Sequence, residues 1–193
     1  MVEATLRMLI PKERIGVLIG KGGIVKSIIE KKLNVRLTID SKTGSVEMTL
    51  KPEAPDPTSI FNARSVVNAI GRGFSPEAAL RLLDDGTFLR VIDLRDYFGR
   101  SASDIRRVKG RIIGKDGRTR MLIEDLTGAR LSVYGHTVSI IGSRAQLEIA
   151  AEAIKMLIEG KLHKTVYSYL YHKRRELKKE GMKIWKPLYK NLC

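Results

Sequence analysis

The 193-residue chain holds one cysteine, Cys193, at its last position. An internal disulfide is therefore excluded, and a reducing compartment is expected. Histidine is nearly as scarce. His136, His163 and His172 are scattered, and with a single terminal thiol they offer no zinc spacing, so surface positions, no metal and no other cofactor are expected. No apolar run approaches transmembrane length, no basic segment followed by an apolar core opens the chain, and no CaaX box ends it, which leads to an expected cytoplasmic location. Aromatic residues make up only 6%. RNA-recognition motifs and OB-folds display them on their binding strands, whereas this chain has none in its glycine loops, nor in the strands after them before Tyr134. Acidic residues are outnumbered, 21 Asp and Glu against 36 Lys and Arg, for a formal net charge of +15. A heat-adapted surface would balance the signs. This excess points instead to a polyanionic partner, nucleic acid first.

Catalytic groupings are also missing. The pairs Asp84-Asp85 and Glu124-Asp125 have no nearby nucleophile or histidine, and the first reads more simply as a helix end before Gly86. Neither an acidic cluster for two metals nor a histidine-based acid and base pair is visible, so no enzymatic activity is expected.

What is present is a duplication. GVLIGKGGIVKSIIEKKLNVRLTI returns as GRIIGKDGRTRMLIEDLTGARLSV, and without a gap Ile19, Gly20, Lys21 and Gly23 fall on Ile113, Gly114, Lys115 and Gly117. Glu30, Arg36 and Leu37 likewise fall on Glu124, Arg130 and Leu131. In each copy a GxxG turn joins two helical patterns and precedes an alternating strand. That is the arrangement of a KH domain, which clamps single-stranded nucleic acid. Glycines let the loop backbone approach a sugar-phosphate chain, and the following helix starts there with unpaired N–H groups and a positive dipole end. Lys21 and Lys115 add mobile charge; Asp116 opposes it slightly and is expected to point to solvent. Other glycine-rich readings fail on spacing. Gly16 to Gly20 encloses three residues where a Walker loop needs four, and a helical pattern, not a strand, precedes Gly20, Gly22 and Gly23.

The pattern predicts a strand over Thr5 to Ile10, a helix from Pro11 to Ile19, a helical stripe at Val25, Ile28, Ile29 and Leu33, and a strand around Val35, Leu37 and Ile39. A third strand follows at Val46 to Leu50, and Asp56-Pro57 is expected to cap and open a helix to about Ile70. Because the first strand starts almost at the N-terminus, the eukaryotic-type (type I) KH topology is favoured. The second copy repeats the plan: strands Phe88 to Asp93, Arg130 to Tyr134 and Val138 to Ile141, helices from about Ser103 to Ile113, at Met121 to Leu126 and from Ser143 to about Glu159. The fold class is thus α+β, tandem type I KH domains, each a three-stranded antiparallel sheet on three helices. The expected partition is 1–72, an ordered connector 73–86 capped by Ser75-Pro76-Glu77, 87–163, and a basic extension 164–193. From Lys161 onward ten Lys or Arg face two Glu, with Tyr167, Tyr169, Tyr171, Trp185 and Tyr189. That tail is expected to continue the last helix and end as an irregular arm, limited by Gly181 and Pro187.

The candidate RNA-binding residues are Gly20, Lys21, Gly22, Gly23, Lys26 and Arg36 in the first copy. In the second they are Gly114, Lys115, Asp116, Gly117, Arg118, Arg120 and Arg130. Lys26 and Arg120 stand where the common KH consensus has an aliphatic residue. They are either phosphate contacts or the mark of a helix rotated to bury Ile28/Ile29 and Leu122/Ile123. Arg36 and Arg130 suit cations reaching base edges above an apolar groove; a solvated strand face is the alternative. The second copy concentrates cations and is expected to carry sequence selectivity.

The chain resembles the archaeal and eukaryotic small-subunit assembly factors called partner of Nob, or dimethylase-interacting proteins. The resemblance rests on GFSPEAALRLL at Gly73 to Leu83, GRIIGKDGRTRMLIEDLTGARLSVYGHTVSIIG at Gly110 to Gly142, and KTVYSYL at Lys164 to Leu170. The intact GKGG of the first copy marks an archaeal-type member. The resemblance implies binding near the three-prime end of small-subunit ribosomal RNA during maturation. It also implies a PIN-domain endonuclease and the alpha subunit of translation initiation factor two as protein partners. A protein-docking adaptor with weak intrinsic RNA binding is the alternative function.

Overall fold

The computed structural model describes residues 4–185, with side chains as far as Lys179. The chain opens with β1 (Thr5–Leu9), α1 (Lys12–Ile19), a 3-10 turn (Lys21–Gly23), α2 (Ile24–Leu33), β2 (Val35–Asp40), β3 (Ser45–Leu50) and α3 (Ser59–Gly71). The strands form an antiparallel sheet in the order β1-β3-β2, with Thr5 opposite Thr49 and Leu37 opposite Met48. Alternation decides the faces: Val35 and Leu37 are buried under the helices while Arg36 and Thr38 are exposed. After the connector helix α4 (Pro76–Leu80) and a 3-10 turn (Arg81–Leu83) the plan recurs. It runs through β4 (Thr87–Asp93), α5 (Arg95–Phe98), α6 (Ala102–Ile113), the turn Lys115–Gly117, α7 (Arg118–Thr127), β5 (Arg130–Tyr134), β6 (Thr137–Ser143), α8 (Arg144–Ile158) and α9 (His163–Trp185). The second sheet has the matching order β4-β6-β5. In both copies one glutamate ties helix to strand. Glu30 Oε1 accepts from Leu37 N and Glu124 Oε1 from Leu131 N, each at 2.7 Å, which explains why this residue pair recurs in register.

The two copies share buried surface. Ile141 of β6 belongs to the first core together with Phe74, Ala79 and Leu82, while its neighbour Ile140 points the other way into the second core. The face of the second sheet turned away from its own helices is thus covered by the connector. The Ser75 hydroxyl caps α4 by accepting from Ala78 N at 3.3 Å, as expected. Arg14 tightens the join: Nε donates to Ile70 O at 2.8 Å, Nη2 to Phe74 O at 2.5 Å, and the guanidinium lies 5.8 Å from the Tyr134 ring centre. Gly73, at φ 95°, is needed here, since a Cβ would stand 2.8 Å from that of Tyr134.

Three elements differ from the sequence expectation. Helix α3 starts at Ser59, because the Asp56 carboxylate accepts from Thr58 N and Oγ1 at 2.8 and 2.6 Å and holds a local turn instead of capping a helix that starts at Pro57. The short α5 was not expected. The tail does not continue α8: Gly160 takes φ 86°, the chain reverses, and α9 packs back on α7 and α8. Gly181 does not end α9, which runs to Trp185; Pro187, Tyr189 and Cys193 lie outside the described residues. No helix among the described residues is long and apolar enough to cross a membrane.

Ahead of α5, Asp93 is bridged by the Arg95 guanidinium at 2.6 Å and accepts from Arg95 N at 2.9 Å, with His136 Nε2 at 3.5 Å. The Arg95 side chain, more than the backbone N–H or His136, holds its carboxyl at about 2, below the ordinary 3.8. A depressed folded value stabilises the fold above about pH 4 and loses that contribution as pH falls through 2, on the order of 1 kcal/mol after solvent screening. Thermal midpoints of wild type and Asp93→Asn measured from pH 5 to 2 should therefore converge at the acid end. Parallel curves would contradict this.

Candidate nucleic-acid interface

The two glycine loops have the same backbone. Gly20 and Gly114 take φ/ψ of 72°/173° and 73°/175°, Gly22 and Asp116 60°/21° and 53°/28°, and Gly23 and Gly117 78°/11° and 77°/7°. The first position admits only glycine, since a Cβ would sit 2.9 Å from Val25 N or 2.8 Å from Thr119 N. The third accepts aspartate, which tolerates the left-handed region better than most residues. Neither α2 nor α7 receives a side-chain cap. Ile24 N and Arg118 N donate to Lys21 O and Lys115 O, and the first-turn N–H groups beyond them have no capping side chain, the arrangement that favours an anion.

Around this frame Lys21, Gly22, Lys115, Asp116 and Arg118 are exposed, so Asp116 faces solvent as expected. On α2, Ile24 and Ile28 remain 60% and 36% accessible and form an apolar platform beside the loop, while Ile29 and Leu33 fill the core. Lys26 reaches back to Glu30 at 3.9 Å, on the flank of a helix turned toward Ile29. Arg120 is half-buried, its Nε enclosed and without a hydrogen-bond partner among the described residues. Arg36 and Arg130 are exposed at equal register on the strand faces away from the helices. Both lie beside the glutamate braces, six residues and roughly 9 Å down the second helix from its start. The site residues of each copy thus divide into a loop cluster and a distant strand arginine.

Residues 88–175 match the eukaryotic-type KH domain (KH-domain type I) in its form for the second KH domain of PNO1, and residues 5–67 match the KH domain. A KH domain-containing protein of Methanocaldococcus jannaschii is 49% identical over 177 residues, spanning 92% of this chain and 77% of that protein. The chain belongs to the Dim2/PNO1-type family of two-KH-domain proteins. Dim2p of Pyrococcus horikoshii, solved in a complex with a/eIF2alpha and rRNA, superposes with a TM-score of 0.85 at 48% identity over 90% of this chain and 96% of that one. A pre-rRNA-processing protein PNO1 of Phaeosphaeria nodorum is 31% identical over 140 residues, 72% of this chain and 53% of that protein, so the chain spans about half of that relative's length.

In this Dim2/PNO1-type chain Tyr134 stands at the join between the copies. Tyr134 donates to Glu13 Oε1 at 2.5 Å across the two copies; that bond lowers the Glu13 carboxyl, while burial and then Glu13 raise the Tyr134 hydroxyl. Tyr169 packs on the second core and Tyr171 is exposed. Tyr167 shares a 2.8 Å hydrogen bond with Thr119, directly behind Gly114. His163 is not a free surface residue, since its Nε2–H donates to Arg111 O at 3.0 Å. Of the other two histidines His136 is half-buried and His172 exposed, and both pair with acids, His136 with Asp93 at 3.5 Å and His172 with Glu176 at 3.0 Å. The glutamate of Glu124-Asp125 is spent on its strand brace. Sequence reasoning missed Thr119, Tyr167, Arg107 and Arg111. The last two had a signal, being four residues apart on the helix that leads into the loop.

Proposed function

We propose that the chain clamps single-stranded RNA, chiefly through the loop Gly114 to Gly117 with Lys115 and Arg118. In this reading it acts in the cytoplasm during ribosome maturation near the three-prime end of small-subunit ribosomal RNA. The observation that carries the reading is the identity of the two loop backbones, with glycine kept where a Cβ would collide and open helix N-termini behind. The rRNA complex of the Pyrococcus protein and the pre-rRNA-processing role named for the Phaeosphaeria relative support it. A cleaving activity is assigned to a partner, by resemblance a PIN-domain endonuclease, and this chain positions or shields the RNA without being an enzyme. The a/eIF2alpha of the same Pyrococcus complex supports that subunit as a protein partner. The working partition remains 1–72 and 87–163 as KH domains, 73–86 as connector and 164–193 as extension.

The adaptor reading gains from one observation. The α1 flank of the first copy is engaged through Glu13 and Arg14 by Tyr134, which makes the first copy more of a scaffold. The decisive experiment is fluorescence anisotropy with short single-stranded RNA and a duplex of the same sequence. A KH groove holds about four nucleotides, so the single strand should bind with marked salt dependence and the duplex less well. Weak, salt-insensitive binding of both would favour the adaptor.

A further inference from the structure

At the positions that surround the loop, the two copies differ sharply in charge. Where the first has Glu13, Val17, Lys21 and Ile24, the second has Arg107, Arg111, Lys115 and Arg118. These four cations line a cleft of about 480 Å³ behind and beside Gly114, closed on its far side by His163 and Tyr167 of α9. The walls are held in place. Arg111 donates to Leu157 O at 3.2 Å and to Lys161 O at 2.5 Å, fixing the reversal that brings α9 over. His163 is anchored on Arg111 O, its ring lies 5.9 Å from that of Tyr167 in an edge arrangement, and Tyr167 is bonded to Thr119. Among the described residues, no carboxylate lines the cleft. The nearest acid bonded to it, Asp104, meets Arg107 at 3.1 Å in an exposed pair that a phosphate can displace.

We infer that this cleft is a subsite for RNA beyond the four-nucleotide clamp: it takes the phosphates of one or two further nucleotides at one end, with a base against the His163 and Tyr167 rings. The inference rests on the second loop acting as an RNA clamp. Continuity favours RNA over an acidic protein segment, because Gly114, Lys115 and Arg118 belong both to the loop cluster and to the cleft lining. Rings that offer a face or edge to any base make the contact tolerant of sequence. The first copy, with an acid and two aliphatics at these places and no covering helix, has no such extension.

The test uses the full chain and the tightest-binding of all possible tetranucleotides, alone and lengthened by three nucleotides at either end. Lengthening at one end should raise affinity about tenfold and steepen the salt slope by roughly 1.4, the share of two phosphates on a single strand. Arg107→Glu, at an exposed site, should abolish that gain while leaving the tetranucleotide unchanged, and His163→Gln should reduce it when the added nucleotides carry bases but not when they are abasic. A gain from neither end, or a gain that survives Arg107→Glu, overturns the subsite and leaves the cleft to an acidic protein segment. If no tetranucleotide binds at all, the clamp itself fails and the subsite with it.

Discussion

Reversing charge at Lys115 and Arg118 together should weaken a short single-stranded RNA about a hundredfold, whereas Lys21→Asp should cost less than tenfold. Both side chains are exposed at the mouth of the loop. A charge-assisted contact with a phosphate contributes roughly 1.5 to 3 kcal/mol, so losing two at the lower end of that range, as suits exposed side chains, amounts to about 3 kcal/mol, two decades in affinity. Each lost phosphate partner should also flatten the salt slope by about 0.7. The first loop presents Lys21 alone, followed by Ile24 where the second has Arg118, and its helix flank is already committed to Tyr134. Anisotropy titrations at several salt concentrations check this. Equal losses from the two loops would show that both grooves are filled and that the asymmetry in charge has no consequence for binding.

The second large effect concerns the join between the copies. Ile141→Asp should destabilise the protein by about 3 to 5 kcal/mol, because it places an unpaired carboxylate in a fully buried site. Ile141→Val should cost only about 0.5 to 1.5 kcal/mol. The Asp variant should also lose the single unfolding transition expected of the wild type, since Ile141 is the fully buried residue through which the second sheet enters the first core, with the partly buried Leu89 beside it. Calorimetry would then show two steps, and limited proteolysis would cut near Arg72 and Gly73. A variant that still unfolded in one step would mean that Arg14, the Ser132 hydroxyl on Arg72 O at 2.8 Å and the connector suffice to couple the halves.

Most of the fold was legible along the chain because its determinants are local. Alternation at Val35, Leu37 and Ile39 marks a strand with one buried face, periodic Ile29 and Leu33 mark a helix, and glycine in left-handed conformations marks the turn between helices. Repetition then strengthened each reading, since Glu30 and Glu124 recur in register for the same brace. Local signals failed where two short-range options compete. Asp56 can cap a helix or close a turn onto Thr58, and it does the latter; Arg95–Phe98 is too short to show a period, and its start is set by the Asp93 carboxylate.

The chemistry at the second loop divides the same way. Its backbone follows from residue type, because only glycine fits against the N-terminus of the next helix. The cleft beside it depends on a helix that arrives some fifty residues later and turns back at Gly160, so that His163 meets Arg111 and Tyr167 meets Thr119. Nothing within a turn or two of Gly114 encodes that arrival. The direction α9 takes after Gly160 is set by which surface can bury Val166 and Leu170, and that surface exists only once α7 and α8 have packed.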